Sequence, residues 1–86
     1  MKVVFSEKLE KQFKRLPKQT KRKATRQFLA LSQNLRHPSI RTKKLQGYSD
    51  LWEGRIDRFY RFIFIIEKNT ITIVRIGPHD EGLGKK

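Results

Sequence analysis

The chain has 86 residues, with 21 Lys or Arg against eight Asp or Glu, for a formal net charge of +13. That length makes a single domain, 1–86, whose core is near the lower limit of what can stand alone. So much like charge is self-repelling, and a polyanion or an acidic protein would relieve it, unless the chain is simply a very soluble basic protein. There is no cysteine, which excludes a disulfide framework and a thiolate metal site. No apolar run approaches the roughly 20 residues that span a bilayer, and no signal-peptide pattern is present, so the expected compartment is the cytoplasm.

In chain order, Lys2-Val3-Val4-Phe5 reads as a short strand. Ser6 has the character of a helix N-cap, and Glu7 favours a first helical turn. Leu9, Phe13 and Leu16 follow at i, i+4 and i+7 and form one apolar stripe. Pro17 interrupts it and suits the first turn of a second helix. Between Lys18 and Leu35 the apolar positions Ala24, Phe28, Leu31 and Leu35 keep helical spacing, while Lys18, Lys21, Arg22, Lys23 and Arg26 make the rest strongly basic. His37-Pro38-Ser39 ends this helix, because proline disfavours helical geometry in the residue before it. Residues 40–46 form a basic connector, and Gly47 marks a turn.

The remainder is a series of strands. Residues 51–58 supply one, with Asp57-Arg58 as the reversal. Phe59 to Ile66 is dense in aromatic and β-branched residues, and Ile71 to Ile76 repeats that pattern in shorter form. Glu67-Lys68-Asn69-Thr70 has turn composition, so these two runs read as a hairpin. Residues 81–86 are expected to fray. The predicted fold is α+β in the order β-α-α-β-β-β, with a two-helix hairpin packed on a mainly antiparallel four-stranded sheet. Leu9, Phe13, Phe28, Leu31 and Leu35 should bury against one face, opposite Trp52, Phe62 and Phe64.

Four short stretches carry a family likeness: Leu45-Gln46-Gly47 before a strand, Leu51-Trp52-x-x-Arg55-Ile56, Tyr60-Arg61-Phe62-Ile63-Phe64, and Arg75-Ile76-Gly77-Pro78-His79-Asp80. In this order and spacing the chain resembles, over nearly its whole length, the RelE/ParE superfamily of bacterial and archaeal toxins. The resemblance implies a toxin of a type II toxin–antitoxin system, with an antitoxin protein as partner. RelE-like members are ribosome-dependent endoribonucleases that cut mRNA in the ribosomal A site, whereas ParE-like members poison DNA gyrase. The first activity is the expectation here. The alternatives are gyrase inhibition, or a weakened domain that only binds RNA or an antitoxin.

RNA cleavage without a metal uses the 2′-hydroxyl as nucleophile against the neighbouring phosphate. It needs a group to accept that proton, one to protonate the departing 5′-oxygen, and cations to stabilise the phosphorane. Guanidinium groups suit the last task, since they stay charged and grip two phosphate oxygens at once. By resemblance, Arg61 matches a family position that contacts the scissile phosphate; as a plain sheet residue it would instead cap an acidic neighbour. Arg55 stands where RelE-like members carry a catalytic lysine, and arginine with a pKa above about 12 makes a poor base, so its expected role is electrostatic. Glu53 replaces another such lysine and is either the general base or a salt-bridge partner.

His79 can both give and take a proton near neutrality, and by resemblance it matches a catalytic histidine of YafQ-like members. Asp80 either orients that imidazole or caps a turn. His37, before Pro38, reads as structural. Two separated histidines without cysteine give no support for a metal site, and no cofactor is expected. Many relatives place an aromatic residue a few positions after the histidine; Leu83 stands there. Arg41, Lys43 and Lys44 of the connector, and Lys18, Lys21 and Arg22 of the basic helix, would contact phosphates of ribosomal RNA. Arg58 and Arg75 serve RNA, the antitoxin or solvent.

Overall fold

In the computed structural model, which describes residues 2–35, 37–47 and 50–78, a strand and two helices precede a run of four strands. They are β1 (Lys2–Phe5), α1 (Glu7–Lys14), α2 (Lys18–Gln33), β2 (Lys43–Lys44), β3 (Leu51–Arg55), β4 (Tyr60–Glu67) and β5 (Thr70–Pro78). One sheet results, in the order β1-β5-β4-β3-β2. Only β1 runs parallel to its neighbour, β5; the other pairings are antiparallel. The α+β class and the hairpin on a mainly antiparallel sheet are therefore as predicted.

Among the described residues the sheet has five strands, not four. Lys43 and Lys44, expected in a connector, pair with Glu53 and Trp52 as a two-residue edge strand. Two lysines carry no apolar alternation, so the sequence pattern is silent there. Lysine on a short edge is nonetheless a common defence against unwanted strand pairing.

Local chemistry explains the element ends. Ser6 caps α1, with its Oγ accepting the Leu9 N–H at 3.0 Å and donating to the Val74 carbonyl at 3.2 Å. Acidic Glu7 and Glu10 open that helix and basic Lys11 and Lys14 close it, which matches the helix dipole at both ends. Pro17 sits one residue earlier than predicted, at the N-cap of α2, where its carbonyl accepts the Lys21 N–H at 2.9 Å. Helix α2 stops at Gln33, with Asn34 already extended. The chain thus leaves the helix ahead of Leu35, not at His37, although Leu35 still packs on the core.

The core lies between the helices and one sheet face. Leu9, Ala24, Phe28 and Leu31 from the helices meet Phe62, Phe64, Ile71 and Ile73, with Ile40 and Ile56 from the loops. Phe28 stands edge-on to Phe62 at 5.1 Å, Phe62 tilts on Phe64 at 5.6 Å, and Trp52 stacks on Phe64 at 6.2 Å. Phe13 and Trp52 are partly buried against the same cluster. A register shift between Ile63 and Phe64 leaves Val74 as an extra residue on β5. The shift lets Ile73 and Ile76, three apart, both enter the core, which a regular strand of period two would not allow.

Candidate active site

Alternation sorts the side chains of β3 and β4 onto two faces. Trp52 and Gly54 lie opposite Phe64 and Phe62 on the helix-covered side, while Leu51, Glu53 and Arg55 lie opposite Ile65, Ile63 and Arg61 on the other. A small apolar patch of Leu45, Leu51, Ile63 and Val74 covers part of that second face. Beside it is a concavity of about 200 Å³ lined by Arg41, Lys43, Glu53, Arg55 and Arg61. Connector, edge strand and central strands thus bring four cations and one carboxylate into one hollow.

Each side chain is positioned by its surroundings. Arg55 and Arg61 are directly opposed across the β3–β4 ladder, an arrangement that costs folding energy because like charges face each other. Arg61 Nη1 donates to the carbonyls of Asp57 at 2.6 Å and Tyr60 at 3.1 Å, which fixes the guanidinium. Glu53 is buried, at 6% exposure, and its Oε1 is 3.7 Å from Lys43 Nζ. Arg41 has a φ of +52°, a left-handed conformation uncommon outside glycine. The loop is pinned on both sides of it. The Ile40 carbonyl accepts the Arg55 N–H at 2.7 Å, and Thr42 Oγ1 donates to Leu35 O at 3.1 Å.

The β3–β4 turn rests on Asp57. Its Oδ1 accepts the N–H groups of Phe59 at 2.8 Å and Tyr60 at 2.9 Å, and its Oδ2 is 3.4 Å from Lys23 Nζ. Burial alone would raise the Asp57 pKa. The two backbone donors and Lys23 outweigh it and hold the carboxyl below its ordinary value.

Residues 3–83 match the sequence profile of the ParE toxin of type II toxin–antitoxin systems, parDE. The chain belongs to this toxin family. Solved structures with the same fold include the archaeal RelE–RelB complex from Pyrococcus horikoshii OT3, at 22% identity over 93% of this chain and 96% of that one, with a TM-score of 0.78. The YoeB/ParE toxin from Agrobacterium tumefaciens is similar at 15% identity, 92% and 99% coverage, and TM-score 0.78. YafQ from Escherichia coli strain BL21(DE3) is similar at 18% identity, 90% and 91% coverage, and TM-score 0.75. No curated protein sequence matches the chain.

The other predicted residues of the toxin are more scattered. Arg75 is exposed and opposite Ile63, hence on the same face as the hollow without lining it. Arg58 is exposed in the turn, with its guanidinium 5.6 Å from the Phe59 ring centre. Lys44 is exposed on the edge strand, and Lys18, Lys21 and Arg22 ride on α2 outside the hollow. His37 Nδ1 is 2.9 Å from Ser39 Oγ, a local contact in keeping with a structural role. His79, Asp80 and Leu83 lie outside the described residues. The register places Gly77 beside Arg61 and Pro78 beside Tyr60, so the end of β5 adjoins the start of β4.

Sequence reading missed Gln27, buried on the apolar stripe of α2. Its Nε2 donates to the carbonyls of Ser39 at 3.1 Å and Arg55 at 2.9 Å, tying α2 to the connector and to β3. A polar residue three after Ala24 and one before Phe28 was the available signal.

Proposed function

We propose that this toxin is an endoribonuclease that cuts mRNA on the ribosome, with guanidinium groups carrying the charge of the phosphate. The observation that supports it best is Arg55 paired across the ladder with Arg61, with the Glu53 carboxylate buried two residues along the same strand. A phosphate between the two guanidiniums would relieve their repulsion, most of all as charge grows on the phosphorane.

In this reading the 2′-hydroxyl attacks the adjacent phosphorus and Glu53 takes its proton. The P–O5′ bond breaks, leaving a 2′,3′-cyclic phosphate, and His79 protonates the departing 5′-oxygen. Arg61 and Arg55 hold the non-bridging oxygens. Arg41 and Lys43 add positive potential around them, and Lys44, Lys18, Lys21 and Arg22 hold ribosomal RNA. The site belongs to the cytoplasm, where mRNA and ribosomes are.

An antitoxin completes the proposal. RelE of Pyrococcus horikoshii OT3 and of Methanococcus jannaschii is seen with RelB, and YoeB of Staphylococcus aureus with YefM. For a chain of net charge +13 the fitting partner is acidic, with an amphipathic segment. An apolar groove of about 620 Å³ between β1 and the two helices, lined by Val3, Phe5, Phe13, Phe28 and Leu29 among others, would seat its apolar face. None of its lining residues lines the arginine hollow.

The family description, a ParE toxin, favours a second reading, inhibition of gyrase. Toeprinting of an mRNA on programmed ribosomes, run beside a gyrase supercoiling assay, separates the two. Toxin-dependent mRNA ends with unaffected supercoiling are expected; blocked supercoiling with intact mRNA would overturn the nuclease reading.

A further inference from the structure

A second hollow adjoins the first. It has a volume of about 690 Å³, and Arg41 and Arg55 line both. Its remaining charged walls are Lys23 and Arg26 of α2 and Asp57 of the β3–β4 turn. We propose that this hollow is a second phosphate-binding subsite, which holds a neighbouring phosphate of the same single-stranded RNA whose bond is cleaved at Arg61. The proposal rests on the reading that the Arg61 hollow takes RNA.

Charge is the first argument. Asp57 is already satisfied by Lys23 and two backbone N–H groups. Among the described residues, Arg26, Arg41 and Arg55 form no ion pair. Three guanidinium groups around one concavity, with no ion-pair partner among the described residues, suit the binding of an anion.

Construction is the second. Gln27 Nε2 donates to the carbonyls of Ser39 and Arg55, which ties the α2 wall of the hollow to the connector and to β3 and offsets part of the negative charge those oxygens present to a phosphate. Arg41 stands at the junction with a left-handed backbone, a conformation unfavourable for any residue with a Cβ. Burial of Ile40 and the hydrogen bonds of Ile40 O and Thr42 Oγ1 hold it there. A strained residue maintained by its neighbours between two anion hollows fits a bridging role.

Continuity is the third. An acidic side chain would satisfy one hollow, but a strand with a phosphate on every nucleotide meets both through the shared arginines. Volume agrees, since small-ligand sites occupy about 300–1,000 Å³, and the second hollow has room for a nucleotide where the first holds little more than the reacting phosphate.

The test uses fluorescein-labelled 2′-O-methyl uridine oligomers of two, four and six nucleotides, which the protein cannot cleave, titrated against the full chain by anisotropy at several salt concentrations. Affinity should rise from dimer to tetramer in the wild type. Arg26→Ala and Arg41→Gly should each abolish that rise, weaken the hexamer about five- to tenfold and lower the salt slope by about 0.7, the loss of one phosphate contact on a single strand. Glycine keeps the left-handed turn at 41 while removing the side chain and its guanidinium. Circular dichroism checks that both variants fold.

Unchanged hexamer affinity and salt slope in folded Arg26→Ala would overturn the subsite, as would a wild type that binds none of the oligomers. Poly-glutamate of equal charge, competing as well as the hexamer against wild type but not against Arg26→Ala, would reassign the hollow to an acidic protein. Length-dependent binding that Arg26→Ala abolishes, from a toxin that never cuts mRNA on ribosomes, would leave the subsite standing and remove only the nuclease reading.

Discussion

A methyl group placed on Gly54 probes the packing directly beneath the arginine hollow. A Cβ there would lie 2.7 Å from Cε1 and 2.9 Å from Cε2 of Phe62, and closer still to its Cζ. The ring cannot swing away freely, because Phe62 is fully buried between Phe28 and Phe64. Overpacking of a tight core costs about 1–3 kcal/mol, and a Gly-to-Ala change returns about 0.4–1 kcal/mol by stiffening the unfolded chain. The net loss for Gly54→Ala should be about 1–2 kcal/mol, or a fall of about 5–15 °C in melting temperature for a domain this small. Trp52, the sole tryptophan, stacks on Phe64 and gives a fluorescence signal for urea titration. If the clash is the cause, Gly54→Ala should cost much less in a Phe62→Leu background. An equal cost in both backgrounds, or a Gly54→Ala protein as stable as wild type, would refute the reasoning.

Removal of Asp57 separates its two roles. Asp57→Asn keeps an oxygen for the Phe59 and Tyr60 N–H groups but loses the charge that strengthens both bonds and the exposed ion pair with Lys23, itself worth about 0.2–1 kcal/mol; Asp57→Ala loses the acceptor as well and should cost about 1–3 kcal/mol in urea unfolding. Because folding lowers this carboxyl's pKa below its ordinary 3.8, its stabilisation is complete well above that value. It should disappear as pH falls through the lower, folded pKa, so that wild type and Asp57→Asn converge in acid-unfolding curves. Arg61→Ala should fold normally, yet lower single-turnover mRNA cleavage on programmed ribosomes by about 10²–10³. If Glu53 and His79 transfer protons as proposed, Glu53→Gln and His79→Ala should each lower the same rate by about 10²–10⁴. A folded variant cutting at the wild-type rate would remove that residue from the mechanism.

Much of this architecture is legible because strand and helix periods differ. The density of aromatic and β-branched residues up to Ile66 specifies a strand, and the helical spacing of Ala24, Phe28 and Leu31 specifies a helix and its buried face. Arg61 and Arg55 stand out through the family resemblance, but their cross-strand opposition does not follow from it: a two-residue reversal at Asp57-Arg58 would set Arg55 opposite Tyr60, and the longer turn between β3 and β4 sets it opposite Arg61. What stayed hidden was set by long-range contacts. The β2 strand exists because Glu53 and Trp52 offer an open edge, not because two lysines favour extension. The end of α2 at Gln33 reflects a break that neither glycine nor proline announces. Arg41's positive φ and its place between two hollows depend on hydrogen bonds to Arg55 and Leu35, which no local pattern encodes. Val74 as an extra residue is likewise a property of the β4–β5 pairing, visible only in the odd interval between Ile73 and Ile76.

The parallel pairing of β1 with β5 has a consequence for biosynthesis. Lys2 to Phe5 pair with Thr70 to Ile73, Ser6 reaches Val74, and Gln12 accepts the Ile76 N–H. A nascent chain that has reached Asn69 holds its first strand unpaired, α1 without its anchor, and Arg61 without the strand that flanks it. Loop closure over such a separation is slow relative to local helix formation. The fold of the toxin therefore closes only once β5 has been made.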